Sequence, residues 1–174
     1  DICRNDQRFK TFSITDRVDG FAPKKRAIDY AIHQSRAESE IILLTDADGR
    51  PGSEWAKEMI SFFSPETDMV LGYAPYQIKP KNHFAKQILA LEYLSHAAIA
   101  AATSGLNFPA TCVGTNMAYR KKMYLEIGGF GPFKNQISGD DDLFLTYVRD
   151  QKKYKIAYAT GKKTHVFNNP PRLW

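Results

Sequence analysis

The stretch IILLTDADGRPGSEW, Ile41–Trp55, limits the possible folds of this chain more than any other segment. Its first residues, Ile41–Thr45, are apolar or β-branched, the pattern of a strand covered on both faces in a parallel sheet. Two aspartates, Asp46 and Asp48, follow directly. In an open α/β sheet, ligands bind beyond the carboxyl ends of the strands, so this pair is predicted to face a binding crevice.

The surrounding patterns predict alternating helices and strands. RFKTFSI predicts a short strand at Arg8–Ile14, and APKKRAIDYAIHQSRA predicts a helix with Pro23 in its first turn. Together with Ile41–Thr45 they would form a right-handed crossover unit. Ser53 is expected to cap the next helix, which ends before Pro65.

The second half of the chain continues this alternation. Strands are predicted in DMVLGYAPYQI, MAYR, YKIAYAT and KTHVF, and helices from about His83 to Thr103, in KKMYLEIGGF before Gly128 and Gly129, and from GDDDLFL onward. The order predicts one mixed α/β domain, residues 1–174, with a largely parallel beginning. Because DICRNDQ is polar, the first strand is expected to lie upstream of Asp1.

Composition and charge exclude little. The net charge of +5 favours anionic partners, but the basic residues are dispersed in pairs, as on solvated surfaces. The two cysteines lie far apart and support neither a zinc site nor a disulfide framework. A reducing compartment therefore fits the sequence best. The apolar segment Phe84–Gly105 is interrupted by Lys86, Glu92 and His96, so a buried or interfacial helix is expected there.

Asp46 and Asp48 permit two interpretations. Paired hard oxygen ligands suit Mg²⁺ or Mn²⁺, and such an ion could bridge a substrate diphosphate. Alternatively, the pair could form an Asx-type turn before Gly49.

Asp140, Asp141 and Asp142 form a second acidic group behind Gly139. Neighbouring like charges raise one another's proton affinity, which favours a general base. Helix capping, for which Asp140 is the candidate, is the structural alternative.

Four segments in series, KKRAIDYAI, IILLTDADGRPGSEW, CVGTNMAYRKKMYLEIGGF and SGDDDLFL, resemble the family 2 inverting glycosyltransferases of the GT-A fold. The resemblance covers about Lys24 to Phe167 and implies a GT-A mixed sheet flanked by helices. It also implies a metal-assisted transferase, of the hexosyltransferase type, that uses a nucleotide sugar, with UDP-sugar as the expected form.

The resemblance assigns roles to the acidic residues. Asp46-Ala47-Asp48 corresponds to the family's D-x-D element, so Asp46 would contact the ribose or the metal and Asp48 would bind the metal. Asp141 would be the general base, with Asp140 as second choice.

Other positions match more loosely. Gly114, Asn116 and Arg120 match a Gly-x-Asn-x-x-x-Arg stretch that lines the donor-sugar and acceptor side, although a plain turn would also explain the first two. Lys24 matches a lysine near the nucleotide, for which a solvated lysine is the alternative. His165 is not included among the metal ligands.

The resemblance further implies a glycan or lipid acceptor, no nucleic-acid partner, and a cell-envelope polysaccharide as product. The whole protein is expected to be cytoplasmic, at the inner face of the cell membrane. The base-contacting acid and the acceptor-binding element, of which Arg172 and Trp174 give only a superficial likeness, are expected outside this segment. The isolated chain therefore need not be active.

Two alternatives remain open at this stage. A nucleotidyltransferase of similar fold would also use paired acids and a metal. A basic nucleic-acid-binding module would show an affinity that falls steeply with salt.

Overall fold

A computed structural model describes residues 6, 8–15, 20–78 and 84–170. In chain order, the elements are α1 (Pro23–His33), β1 (Ile41–Leu44), β2 (Arg50–Pro51), α2 (Trp55–Ile60), β3 (Thr67–Gly72), α3 (Phe84–Gly105), β4 (Met117–Arg120), α4 (Lys121–Glu126), α5 (Asp142–Asp150), β5 (Lys155–Ala159) and β6 (Val166–Phe167). Two 3-10 turns, Gly131–Phe133 and Lys162–Thr164, follow α4 and β5. His83, Arg172 and Trp174 lie outside the described residues.

The main sheet is mixed and has the strand order β1-β4-β3-β5. Strand β4 is antiparallel to both β1 and β3, whereas β3 and β5 are parallel. Strands β1, β3 and β5 therefore run in one direction and end at the same edge of the sheet. The predicted mixed α/β fold is confirmed, but the expected parallel pairing at the start is wrong, because the described partner of β1 is the antiparallel β4.

The strand predicted at Arg8–Ile14 is also wrong. The described residues 8–15 are irregular and mostly exposed, and Phe12 packs edge-to-face on Tyr30 of α1 with ring centroids 5.4 Å apart. The alternation in RFKTFSI is only partial, and a strand needs a hydrogen-bonded neighbour that this segment does not have. Without this strand, the expected right-handed crossover unit is not formed by these residues.

The strands divide their side chains between two apolar layers, as the two-residue period of a strand requires. Met69, Leu71, Met117 and Tyr119 join a large cluster with α4 and α5. The intervening Val70, Ala118 and Ala159 join a small cluster with Met59 of α2 on the other face. Both faces of the sheet are thus covered by helices.

The helix predictions agree with the structure except at the caps. Gly128 and Gly129, with φ of 75° and 59°, follow α4 in the left-handed region that ends helices. The cap of α2 is Glu54, not Ser53, because a Trp55 N–H to Gly52 O hydrogen bond encloses Ser53 in the preceding turn.

Strand β1 is only partly buried, since no strand pairs with its outer edge within the described residues. The exposed side chains of β1 and α1 line a shallow apolar groove of about 350 Å³. The prediction of a first strand upstream of Asp1 stays a prediction.

Candidate functional site

The pairing of β1 with β4 brings the first aspartate of the D-x-D stretch to a hydroxyl. Leu44 lies opposite Met117, and continuing this register places Asp46 opposite Thr115. The Thr115 hydroxyl donates a hydrogen bond to Asp46 Oδ2. Strand pairing thus fixes the orientation of a carboxylate at the edge where β1, β3 and β5 end.

A backbone turn follows β1, as the structural alternative for the pair supposed. The Gly49 N–H donates to Asp46 O at 2.9 Å, but the Asp46 carboxylate takes no part in this turn. A Cβ at Gly49 would lie 2.5 Å from Thr45 Oγ1 and 3.0 Å from a Val166 methyl carbon, so the turn is packed tightly. Asp48 projects from it, exposed.

Lys24, in the first turn of α1, connects the two acidic groups. Its Nζ lies 3.1 Å from Asp46 Oδ1 and 2.7 Å from Asp140 Oδ2. Partial burial alone would lower the pKa of Lys24, but the two carboxylates outweigh it and raise the pKa. Lys24 therefore pairs with two carboxylates while half of its side chain stays exposed.

The same ion pair affects Asp46. Partial burial alone would raise the pKa of Asp46, but the Thr115 hydroxyl and the Lys24 ammonium outweigh it, so the pKa lies below its ordinary value. Asp46 is thus held as a carboxylate.

Each of the three consecutive aspartates has different partners. Asp140 contacts Lys24, and Asp142 accepts hydrogen bonds from Thr111 Oγ1 at 3.0 Å and from the Cys112 N–H at 2.9 Å. Asp141 accepts from its neighbour's N–H at 2.8 Å and caps α5, so the capping role expected of Asp140 belongs to Asp141. The three carboxylates are therefore held by different hydrogen-bond and ion-pair partners.

The loop before β4 contacts Asp141 directly. The Gly114 N–H donates to Asp141 Oδ2 at 3.2 Å, and a Cβ at Gly114 would lie 3.4 Å from Asp141 Cβ. Gly114 therefore lies directly beside Asp141. We use the term site cluster for Lys24, Asp46, Asp140 and Asp141.

Asn116, in contrast, is fully buried. Its Nδ2 donates to Tyr73 O and Thr164 O, both at 2.8 Å, and its Oδ1 accepts from Trp55 Nε1 at 3.0 Å. Since its polar atoms are engaged within the protein, Asn116 joins the loops that surround the site and does not itself line an open surface.

Arg120 lies at the opposite end of β4. Its guanidinium donates to Thr67 O at 2.9 Å and Ser64 O at 2.8 Å, and it stacks over the Phe63 ring at 5.6 Å. The third member of the Gly-x-Asn-x-x-x-Arg match is thus a structural residue, because a four-residue strand separates it from Gly114 and Asn116.

Sequence reasoning missed Lys25, the neighbour of Lys24. Lys25 is fully buried, and its Nζ donates to Phe133 O at 3.0 Å, Gln136 O at 2.9 Å and Ser138 O at 2.8 Å. It therefore holds the segment that leads into the acidic group. Burial lowers the pKa of Lys25, although the nearby carboxylates of Asp140 and Asp141 oppose this shift.

An aromatic cavity next to the acids was also missed. It has a volume of about 180 Å³ and lies between α3, the end of β3, β5 and the loop before β4. Its lining includes Tyr73, Tyr93, His96, Tyr158 and Asp142. Burial raises the pKa of Tyr93 and that of Tyr158 to about 12, so both phenols are neutral at pH 7.

The carboxylates only partly fit the expected Mg²⁺ or Mn²⁺. Within the described ranges, no three Asp, Glu, His or Cys side chains form a group that could hold a metal. Asp46 already contacts Lys24 and Thr115, so among the two predicted ligands Asp48 has the freely accessible carboxylate. A single carboxylate together with substrate phosphate oxygens is a common way for proteins to hold Mg²⁺.

The sequence was compared with models of protein families and with curated proteins. The model of a family described as "Glycosyltransferase like family 2" matches residues 7–174. Among curated proteins, none matches the chain. The family match covers almost the whole sequence and includes every residue of the site cluster.

Proposed function

The chain belongs to the glycosyltransferase-like family 2, and from this premise we propose that it transfers a sugar from a nucleotide sugar to an acceptor hydroxyl with inversion. The donor would be a UDP-sugar and the acceptor a glycan or a lipid-linked glycan. The observation that carries the proposal is the pair of Lys24 contacts, which joins an acid at the end of β1 to the acids that begin α5.

Lys24 and Asp46 form the proposed donor side. The ammonium group of Lys24 is half exposed, with 51% of its side chain accessible, so a diphosphate can approach it. A phosphate oxygen would then compete with the carboxylates for this cation. Asp48 would hold Mg²⁺ or Mn²⁺, which supplies positive charge to the departing diphosphate.

Asp141 is the proposed base. Its two backbone donors, Gly114 N and the following N–H, fix the carboxylate in one orientation and leave lone pairs for an acceptor hydroxyl. Asp140 is less suitable because only 13% of its side chain is exposed and Lys24 occupies it. Asp142 is engaged by Thr111 and Cys112.

The reaction is a single displacement. Asp141 takes the proton of the acceptor hydroxyl as the hydroxyl oxygen forms a bond to the anomeric carbon of the donor sugar. The bond between that carbon and the diphosphate oxygen breaks, and its electron pair leaves with the nucleoside diphosphate. Attack opposite to the leaving group inverts the anomeric centre.

The aromatic cavity beside Asp142 supports an acceptor site. Tyr73, Tyr93 and Tyr158 offer ring faces and edges together with hydroxyls, a combination suited to sugar rings. His96 adds a polar group at the wall formed by α3.

Calorimetric titration of the 174-residue chain with UDP, GDP, CDP and ADP, each with and without Mn²⁺, tests the donor assignment. We expect one nucleoside diphosphate, UDP first, to bind more tightly with Mn²⁺. The anomeric configuration of the transfer product, measured by NMR with the matching nucleotide sugar, then tests inversion.

Retention of the anomeric configuration would contradict the assignment of Asp141 as a base in a single displacement. Failure of every nucleotide to bind, combined with tight binding of nucleic acid that disappears with salt, would support the basic nucleic-acid-binding alternative instead. Release of inorganic pyrophosphate from a nucleoside triphosphate would indicate a nucleotidyltransferase.

A further inference from the structure

The outer face of α3 is apolar and exposed over the length of the helix. Phe84, Ile88, Leu91 and Ile99 have exposed fractions of 73%, 52%, 67% and 51%. With 3.6 residues per turn, these positions and the exposed Ala98 and Ala102 form one stripe, which we call the outer stripe. Large contiguous apolar surfaces are uncommon on soluble proteins and indicate a binding surface.

Two hydroxyl groups on and beside this stripe form hydrogen bonds within the helix. Ser95 Oγ donates to Glu92 O at 2.6 Å, and Thr103 Oγ1 donates to Ile99 O at 2.7 Å. The Glu92 carboxylate flanks the stripe on one side. These two hydroxyls therefore do not expose an unsatisfied hydrogen-bond donor to an apolar environment.

The inner side of α3 has a different role. Tyr93, Ala97 and Ala100 face the aromatic cavity, and α3 packs against β5. In the described part of the chain, no helix is long and apolar enough to cross a membrane. A helix with one side on the protein and an uncharged apolar side outward fits a position parallel to a membrane surface.

Basic residues lie at the C-terminal end of the outer stripe. Leu106 and Phe108, exposed by 78% and 60%, extend the apolar surface beyond the helix. The Arg149 guanidinium lies over the Phe108 ring at 4.7 Å. Arg149 and Lys152 also line a cavity of about 320 Å³ together with Phe108, and Lys155 and Asp150 share this lining. We call Arg149, Lys152 and Lys155 the basic rim, in which Arg149 pairs with Asp150 at 3.0 Å and Lys155 with Glu66 at 3.2 Å.

We propose that the outer stripe lies in the interfacial layer of an anionic phospholipid membrane, with lipid phosphates against the basic rim. Charge complementarity favours this occupant over a second copy of the chain, because two copies with a net charge of +5 repel each other, whereas an anionic surface attracts them. The inner side of α3 would then hold the aromatic cavity close to the membrane. Combined with the proposed transfer reaction, this geometry favours a lipid-linked acceptor.

Sedimentation of the 174-residue chain with vesicles tests the membrane contact without any assay of sugar transfer. We expect the chain to sediment with vesicles of phosphatidylcholine and phosphatidylglycerol, and much less with phosphatidylcholine alone. Ile88→Gln and Leu91→Gln should each weaken partition about tenfold or more, because each removes an apolar side chain from the lipid. Lys152→Gln should weaken it about fivefold.

Matched substitutions elsewhere serve as controls. Ile60→Gln on α2, across the sheet, and Lys122→Gln on α4 also change exposed side chains and should leave partition unchanged. Thermal unfolding should be the same for all these variants, since the altered side chains are exposed.

Three outcomes would overturn the proposal. The chain could stay in solution with both kinds of vesicle. It could bind anionic vesicles equally well after Ile88→Gln and Leu91→Gln, which would show adsorption by net charge alone. Sedimentation velocity could also detect dimers of the chain. If the same two substitutions dissociated these dimers, the outer stripe would be a self-association surface. Because none of these readouts involves nucleotide or sugar, they leave the proposed reaction to its own test.

Discussion

Lys24 and Lys25 are neighbours in the first turn of α1, yet their ammonium groups lie in opposite kinds of surroundings. Lys24 is half exposed and contacts two carboxylates, whereas Lys25 is fully buried and contacts three backbone carbonyls. The carboxylates that contact Lys24 can be exchanged for the phosphate of a ligand, whereas the three carbonyls bind Lys25 inside the folded chain. The site cluster should therefore govern activity, and its buried supports, Lys25 and Asn116, should govern stability.

Asp141→Asn should have the largest effect on activity. The amide cannot take the acceptor proton, so the rate of transfer should fall about 10²- to 10⁴-fold. Asparagine is also a good helix cap but has one acceptor oxygen for the two backbone donors, so the free energy of unfolding should fall by only about 1 kcal/mol. Release of the nucleoside diphosphate and urea unfolding measure the two quantities. A loss of transfer below about tenfold would remove Asp141 from the role of base.

Lys25→Met should have the largest effect on stability. The substitution keeps the length of the side chain but removes three hydrogen bonds of a fully buried ammonium group, one to a buried carbonyl and two to partly buried ones, so the free energy of unfolding should fall by about 3 kcal/mol. Urea unfolding followed by circular dichroism measures this change.

Lys24→Met is the matched control one residue away. Because the Lys24 side chain is half exposed, its loss should change the free energy of unfolding by less than about 1 kcal/mol, while the Kd for the nucleotide should rise. Equal destabilisation by the two substitutions would abolish the distinction between site and support.

Trp55→Phe should give a smaller loss of stability. It removes the indole donor to Asn116 Oδ1 and leaves that buried oxygen unpaired, which costs about 1 kcal/mol. Ser61→Ala, which removes a hydrogen bond at the exposed end of the same helix, is the control. If both substitutions cost the same, Asn116 is not a support of the kind described.

The smallest effect is expected from Asp46→Asn, on the stability of the protein at acid pH. The folded-state pKa of Asp46 lies below its unfolded value, so its ionised form contributes stability above about pH 4, and this contribution is lost as the pH falls through the folded-state pKa. Asp46→Asn should reduce the difference between urea midpoints at pH 7 and at pH 3. The change should be small, since 37% of the side chain is exposed and solvent screens its charge. If the difference between the two urea midpoints did not change, the lowered pKa of Asp46 would be contradicted.

Local patterns were enough to predict the elements that position the site. The apolar run of β1, the helical spacing in α1 and the carboxylates at the start of α5 are each contained within a few consecutive residues. The structure places Lys24 and Gly114 against the acidic group and Asp46 against Lys24, while the roles of these residues stay predictions.

What the sequence did not reveal depends on contacts between distant segments. Lys25 is 108 residues from Phe133, and Thr115 is 69 residues from Asp46. No short pattern distinguishes a lysine that points to solvent from one that points to carbonyls. The antiparallel partner of β1 was missed for the same reason, because the strand that pairs with it comes much later in the chain.

The contacts of Lys24 also determine when the site can exist during synthesis. Asp46 and Lys24 leave the ribosome early, but Thr115, Asp140 and Asp141 follow only after α3 has been made. Because chains are synthesised from the N-terminus, a nascent chain shorter than α5 has half of the ion pairs and none of the capped carboxylate. The proposed base, Asp141, can therefore take its place beside Gly114 only after translation has passed Asp142.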